Sequence, residues 1–343
     1  MDYHHSTSIV LNYIKGYKTR IKGPVRLKYP FSSILEWHIP KLNKGDRMTK
    51  IKAHLWTLPR WFALTLFASP AILGGIMAGG MTANSWLGVL AAALVMAGGH
   101  SFNSYLDYVW TGLDKGQVDE RSAEKNYTGG QSLLAKGVLS PGEVLANALG
   151  WYAVALVPVI YLAVNVTWWV IIIAALGMAV TFFYAQGKFN WTHELALGLG
   201  VGPLAVLMGM FATSSTPQWA DGLIVSVPFA IVASFAGLAI DEYPDAAANL
   251  KKGVKSVAYM VWQSGVALEW YLSSWFLFLF IYQVFLITIN LLTPMSALAF
   301  LTWPFFIAAL VFLRINFSRA SNAIIGLGVI YPVLLVLGHY LGS

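Results

Sequence analysis

The chain has 343 residues, of which 57% are hydrophobic and only 11% charged. That composition excludes an ordinary water-soluble globule and leaves a polytopic membrane protein. Cysteine is absent, which excludes disulfides and thiolate metal sites. The formal charge of +7 is spread over a polar N-terminal arm and short loops without an aromatic-basic recognition motif, so it reads as membrane orientation rather than nucleic-acid binding.

Residues 1–54 form a basic extension containing Pro24, Pro30 and Pro40 and no run resembling a signal-peptide core, so a cytoplasmic segment is expected there. Its Tyr, Ile and Leu residues and Trp37 interleave with Lys and Arg, a pattern compatible with an anionic lipid surface or with a solvated tail. Residues 55–343 form the second unit. Apolar stretches long enough to cross about 30 Å of hydrocarbon fall at 61–81, 86–107, 144–164, 167–186, 193–213, 223–241, 268–291, 296–313 and 321–341. Backbone polar groups in lipid need internal partners, so these are helices. The expected fold class is all-α, with nine transmembrane helices around a central cavity open to the cytoplasmic side.

Basic residues give the orientation. Lys and Arg fall before the first span and after the second, fourth, sixth and eighth, whereas the connections at 81–85, 165–167, 214–222 and 291–295 have none. The positive-inside rule then puts the N-terminus in the cytoplasm and the C-terminus outside a cell membrane.

Two acidic groups break the apolar pattern, Asn103, Asp107 and Asp114 at the end of the second span and Asp241, Asp245 and Asn249 at the end of the sixth. An ionisable group carried into hydrocarbon costs about 2.5–3.5 kcal/mol, so carboxylates gathered where spans meet water mark a functional site. Residues four apart share a helix face, which pairs Asn103 with Asp107 and aligns Asp241, Asp245 and Asn249. Carboxylate and amide oxygens on one face suit Mg2+, which takes its remaining ligands from water and substrate phosphates. Two such clusters facing each other would hold a diphosphate. Each is followed by a basic loop, Arg121, Lys125 and Lys136 after the first and Lys251, Lys252 and Lys255 after the second. That repetition suggests two helical half-bundles around one cavity.

The run from Asn103 through Asp107 to Asp114 resembles the first aspartate-rich motif of the UbiA superfamily of intramembrane aromatic prenyltransferases, in the form found in the 1,4-dihydroxy-2-naphthoate branch. The run from Asp241 through Asp245 to Asn249 is similar to the second motif. Gly129 to Ser140 resembles the segment before the third helix, and Phe183, Tyr184 and Lys188 with Glu194 and Gly202–Leu204 resemble the segment opening the fifth. The resemblance spans residues 55–341. It departs at Asn249, where relatives usually carry an aspartate, at Asp241, where they often carry an amide, and at Ala185–Gly187, where a proline-rich form is common.

The resemblance implies Mg2+-dependent transfer of a polyprenyl group from a prenyl diphosphate to a small aromatic acceptor, with 1,4-dihydroxy-2-naphthoate and menaquinone biosynthesis as the leading case. It implies metal ligation by Asn103, Asp107, Asp114, Asp241 and Asp245, with Asn249 in support. Lys188 and its neighbour Tyr184 are the first choice for phosphate contact. Lys255, Arg121 and Lys125 follow, with Arg60 either at the site or anchoring the first helix, and Tyr105, Tyr108 and Tyr243 as candidate cavity walls. Other readings remain open: a terpene cyclase of the same fold, transfer to 4-hydroxybenzoate, chlorophyllide or a glycerol phosphate lipid, and an ion-coupled transporter. Against a transporter, acids concentrate at the cytoplasmic ends, Glu269 apart. His100 either faces the cavity or is a hydrogen-bonded core histidine. Glu194, beside His193, either orients a functional group or caps its helix.

Overall fold

The structure is a computed structural model and describes residues 47–115 and 131–343. Among the described residues every regular element is helical, so the all-α class holds. The elements are α1 (Arg47–Lys52), α2 (Leu64–Met77), α3 (Ala83–Val109), α4 (Gln131–Ala135), α5 (Pro141–Asn165), α6 (Trp169–Gly187), α7 (His193–Thr213), α8 (Trp219–Glu242), α9 (Ala246–Lys251), α10 (Val257–Ser264), α11 (Leu268–Thr288), α12 (Pro294–Leu313) and α13 (Phe317–Gly342).

Eight of them, α3, α5, α6, α7, α8, α11, α12 and α13, are long and apolar enough to cross a membrane. The shorter apolar α2 stands where the first of the nine expected spans was drawn, preceded by the single turn Trp61–Ala63. Caps set several boundaries. Thr82 and Ser85 close a capping box on α3, and Ser140 and Glu143 another on α5, each satisfying backbone donors that the first helical turn leaves unpaired.

The helices close a circuit. α2 packs on α3, α7 and α13; α3 packs on α5 and α6; α6 meets α7, α7 meets α8, and α8 continues through α11 and α12 back to α13. Where α2 crosses α7, a Cβ at Gly209 would lie 1.8 Å from the Ala71 carbonyl oxygen and one at Gly74 would lie 2.0 Å from that of Val206. Only glycine permits that approach, the usual device for close helix crossing in lipid. Large apolar residues such as Val157, Val164, Ile281 and Leu301 remain exposed on the outer faces, as lipid contact requires. The protein is a multi-pass membrane protein.

At one end α1 and the turn Ala53–Thr57 lie across the top of α5. Lys50 Nζ sits 2.7 Å from Glu143 Oε1, and Asn147 Nδ2 donates to the His54 carbonyl at 3.1 Å. Residues 1–46, most of the expected N-terminal extension, lie outside the described residues.

Candidate active site

The first acidic group is built by the end of α3. Its helical register brings Asn103 Nδ2 to Asp107 Oδ2 at 2.9 Å, the pairing expected for residues four apart. Beyond Val109 the chain reverses at Gly112, whose φ of +68° falls in the left-handed region glycine adopts without strain. The reversal lets the Asp114 amide donate to the Asp107 carbonyl at 3.2 Å, with the Thr111 hydroxyl on the same oxygen at 3.1 Å. Asp107 and Asp114 are both buried. Asn103 Oδ1 and Asp107 Oδ1 are buried with no hydrogen-bond partner among the described residues, so two oxygens are held ready for a ligand.

The second group closes α8. Residues Ile231–Leu238 are π-helical, one more α turn carries Asp241 and Glu242, and the single turn Tyr243–Asp245 leads into α9. Asp241 is half-buried; the Asp245 side chain lies outside what is described. Lys252, just past α9, donates through Nζ to the Leu113 carbonyl at 2.9 Å, which ties this loop to the one bearing Asp114. Asp107 reaches the Tyr184 ring through Lys188, and Glu242, beside Asp241, reaches it through His193. The two acidic groups therefore converge.

Between them lies the corner joining α6 to α7. A Cβ at Gly187 would come within 2.5 Å of the His193 amide, so the glycine is what lets α7 begin directly against the end of α6. Lys188, buried in that corner, points Nζ at Asp107 Oδ2 at 2.6 Å and lies 5.0 Å from the centre of the Tyr184 ring. The Lys188 carbonyl accepts from the Lys255 amide at 2.6 Å, although the Lys255 side chain is exposed. His193 sits edge-on to Tyr184 with ring centres 5.5 Å apart, and its Nε2 lies 3.2 Å from Glu242 while Nδ1 lies 3.0 Å from Glu194. Glu194 also accepts the Val257 amide at the start of α10 rather than capping its own helix.

A cavity of about 170 Å3 opens from this cluster into the bundle. Its polar end is lined by Arg60, His100, Asn103, Thr181 and Tyr184, and its far end by Ala92, Met96, Ile173, Ala174 and Met208. Asn103 and Ala92 are eleven residues apart on α3, so the cavity follows that helix for about 16 Å. Leu238, one turn before Asp241, lines it too. The mouth is charged and the interior apolar, a shape for an amphiphile with an anionic head.

Not every expected residue reaches this cavity. Tyr105 and Tyr108 pack against the buried cluster of Leu58, Leu133 and Leu139, and Tyr243 stacks on Phe317 at 6.4 Å. Asn249 closes the end of α9, its carbonyl accepting from the Lys252 and Val254 amides. Arg121 and Lys125 lie outside the described residues. Glu269 faces Arg314 at 3.4 Å, away from the site. His100 faces the cavity, as one of its two readings required. Sequence reasoning passed over Glu242 and the bridging role of Lys252, because a glutamate inside an acidic motif and a lysine in a basic loop look alike until partners are visible.

Fold and site define a class, a polytopic membrane protein with an apolar cavity whose polar end, at Asn103, adjoins the acidic end of α3. No protein-family model matches the chain. It is 26% identical over 275 residues to the 1,4-dihydroxy-2-naphthoate octaprenyltransferase of Bacillus subtilis strain 168, covering 76% of this chain and 84% of that protein. It shares its fold with a UbiA homologue from Aeropyrum pernix K1, with a TM-score of 0.62 at 16% identity, over 81% of this chain and 97% of that one. A UbiA homologue from Archaeoglobus fulgidus, solved with DMAPP and Mg2+, aligns over 82% of this chain and 98% of its own, with a TM-score of 0.47 at 16% identity. The chain is thus similar in sequence to a naphthoate prenyltransferase and in fold to a UbiA homologue.

Proposed function

We propose that the protein transfers a prenyl group from a prenyl diphosphate to 1,4-dihydroxy-2-naphthoate in a Mg2+-dependent reaction, a step of menaquinone biosynthesis. The observation that carries this reading is the buried Lys188–Asp107 pair at the acidic end of α3, beside an apolar cavity whose polar end Asn103 and Tyr184 line. The naphthoate prenyltransferase relative and the form of the first motif support this acceptor.

The donor set fits Mg2+. Asn103, Asp107, Asp114, Asp241 and Asp245 would hold it, all oxygen ligands, and the two unpartnered oxygens of Asn103 and Asp107 are the kind of vacancy a hard cation fills. Bound there, the metal would offset the charge that builds on the diphosphate as it leaves. Lys188 and Arg60 add fixed positive charge at the same mouth, and Tyr184 holds the Lys188 ammonium against its ring. The allylic carbon–oxygen bond breaks with its electron pair leaving on the diphosphate. A ring carbon of the acceptor then forms the new carbon–carbon bond, and the ring loses a proton or, from a carboxylated carbon, carbon dioxide. The apolar walls keep water from the cation meanwhile. The Lys and Arg distribution supports a mouth on the cytoplasmic side.

Incubating purified protein with Mg2+, a labelled prenyl diphosphate and either dihydroxynaphthoate, 4-hydroxybenzoate or no acceptor tests the reading. Prenylated naphthoquinol in the first arm, abolished by EDTA, is expected. Turnover in the third arm alone would indicate cyclisation instead.

A further inference from the structure

His100 stands on α3 with its side chain in the cavity wall. Its Nδ1 is buried and has no hydrogen-bond partner among the described residues. The ring is steadied edge-on by Phe67, with centres 6.3 Å apart and planes at 89°, so its direction is set by packing rather than by a polar neighbour. An unsatisfied buried polar atom is destabilising, which a ligand hydrogen bond would relieve.

Position decides which ligand. His100 is three residues before Asn103, about 4.5 Å deeper along α3 than the oxygens suited to metal and diphosphate. At that depth a bound prenyl diphosphate presents its allylic carbon, and an attacking ring must come alongside. Gly99, Gly177 and Gly200 also line the cavity. Of the other polar side chains lining the cavity, Asn103 bonds Asp107 through Nδ2, the Tyr184 ring carries Lys188, Thr181 lies 3.5 Å from the Tyr152 hydroxyl, and Arg60 brings a fixed positive charge.

Resting on the prenyl-transfer reading, we infer that His100 is an acceptor-recognising residue, its Nδ1 hydrogen-bonding a hydroxyl of the aromatic acceptor. An aromatic hydroxyl can donate to a bare imidazole nitrogen or accept from a protonated one, so either tautomer serves. A diphosphate, already met by the acidic ends and Lys188, does not need it.

The test compares wild type with H100F, which keeps a ring against Phe67, with H100L, and with H100Q, which keeps a hydrogen-bonding group. Equilibrium binding is measured by calorimetry for dihydroxynaphthoate, for a naphthoate lacking one hydroxyl, and for an unreactive prenyl thiolodiphosphate with Mg2+. H100F and H100L should bind dihydroxynaphthoate about tenfold or more weakly, lose discrimination between the two naphthoates, and bind the thiolodiphosphate as wild type does. H100Q should recover part of the discrimination. Unchanged acceptor affinity in H100F or H100L, or a loss confined to the thiolodiphosphate, would overturn the inference. Wild-type protein that binds no thiolodiphosphate would overturn the prenyl-transfer reading itself.

Discussion

The Lys188 ammonium lies 2.6 Å from Asp107 Oδ2, and both side chains are buried. The pair joins the end of α3 to the corner between α6 and α7. It also qualifies what loss of the aspartate does. A carboxylate that served only a ligand could be removed without cost to the fold, but removing Asp107 leaves a buried ammonium unpaired.

Asp107→Ala should therefore reduce kcat by about a thousandfold or more and also destabilise the protein by roughly 3 kcal/mol. Adding Lys188→Met should restore most of the melting temperature in detergent while leaving activity absent. The double-variant cycle separates the two effects, because only the stability term depends on the partner. A double variant as unstable as Asp107→Ala would contradict the pairing.

His193 is held between two carboxylates, Glu194 at 3.0 Å and Glu242 at 3.2 Å. His193→Leu leaves those acids facing one another without the imidazole, so it should lower stability by roughly 3 kcal/mol. His193→Gln, which keeps a donor for one of them, should lower it less. Thermal melts of the two variants in one detergent check the order.

The bridge from Lys252 to the Leu113 carbonyl fixes the two acidic loops against each other. Lys252→Met should raise the Mg2+ concentration for half-maximal rate severalfold, at a stability cost of about 1 kcal/mol. Titration of rate against Mg2+ at saturating donor is the measurement, and an unchanged midpoint would count against the bridge.

Ala92 lines the far end of the cavity, about 16 Å along α3 from Asn103. Ala92→Phe should weaken long prenyl diphosphates by about tenfold or more and leave a five-carbon donor nearly unaffected. Competition between donors of two chain lengths reads this directly.

Much of this was legible in the residues. Helix type and span positions follow from apolar runs that only helices can carry through hydrocarbon, and the motif acids announce themselves as charge where charge is costly. The pairing of Asn103 with Asp107 follows from helical periodicity alone. Long-range partners were not legible. That Glu194 serves the Val257 amide, or that Glu242 meets His193, depends on which helix ends the circuit brings together. Tyr105 and Tyr108 sit inside the first motif yet turn toward Leu58 and Leu133, because a helix that lines a cavity with one face must pack its others. Gly187 is instructive in the same way. Its value lies in the contact it permits with His193, which is invisible without the corner.

Mg2+-dependent binding of an unreactive prenyl thiolodiphosphate, measured by calorimetry on wild type, Asp107→Asn and Asp241→Asn, bears most directly on whether both helix ends serve one ligand. Wild type should bind one equivalent, and each substitution alone should remove nearly all of that affinity. Full affinity in either variant would mean that the ends of α3 and α8 do not share the diphosphate.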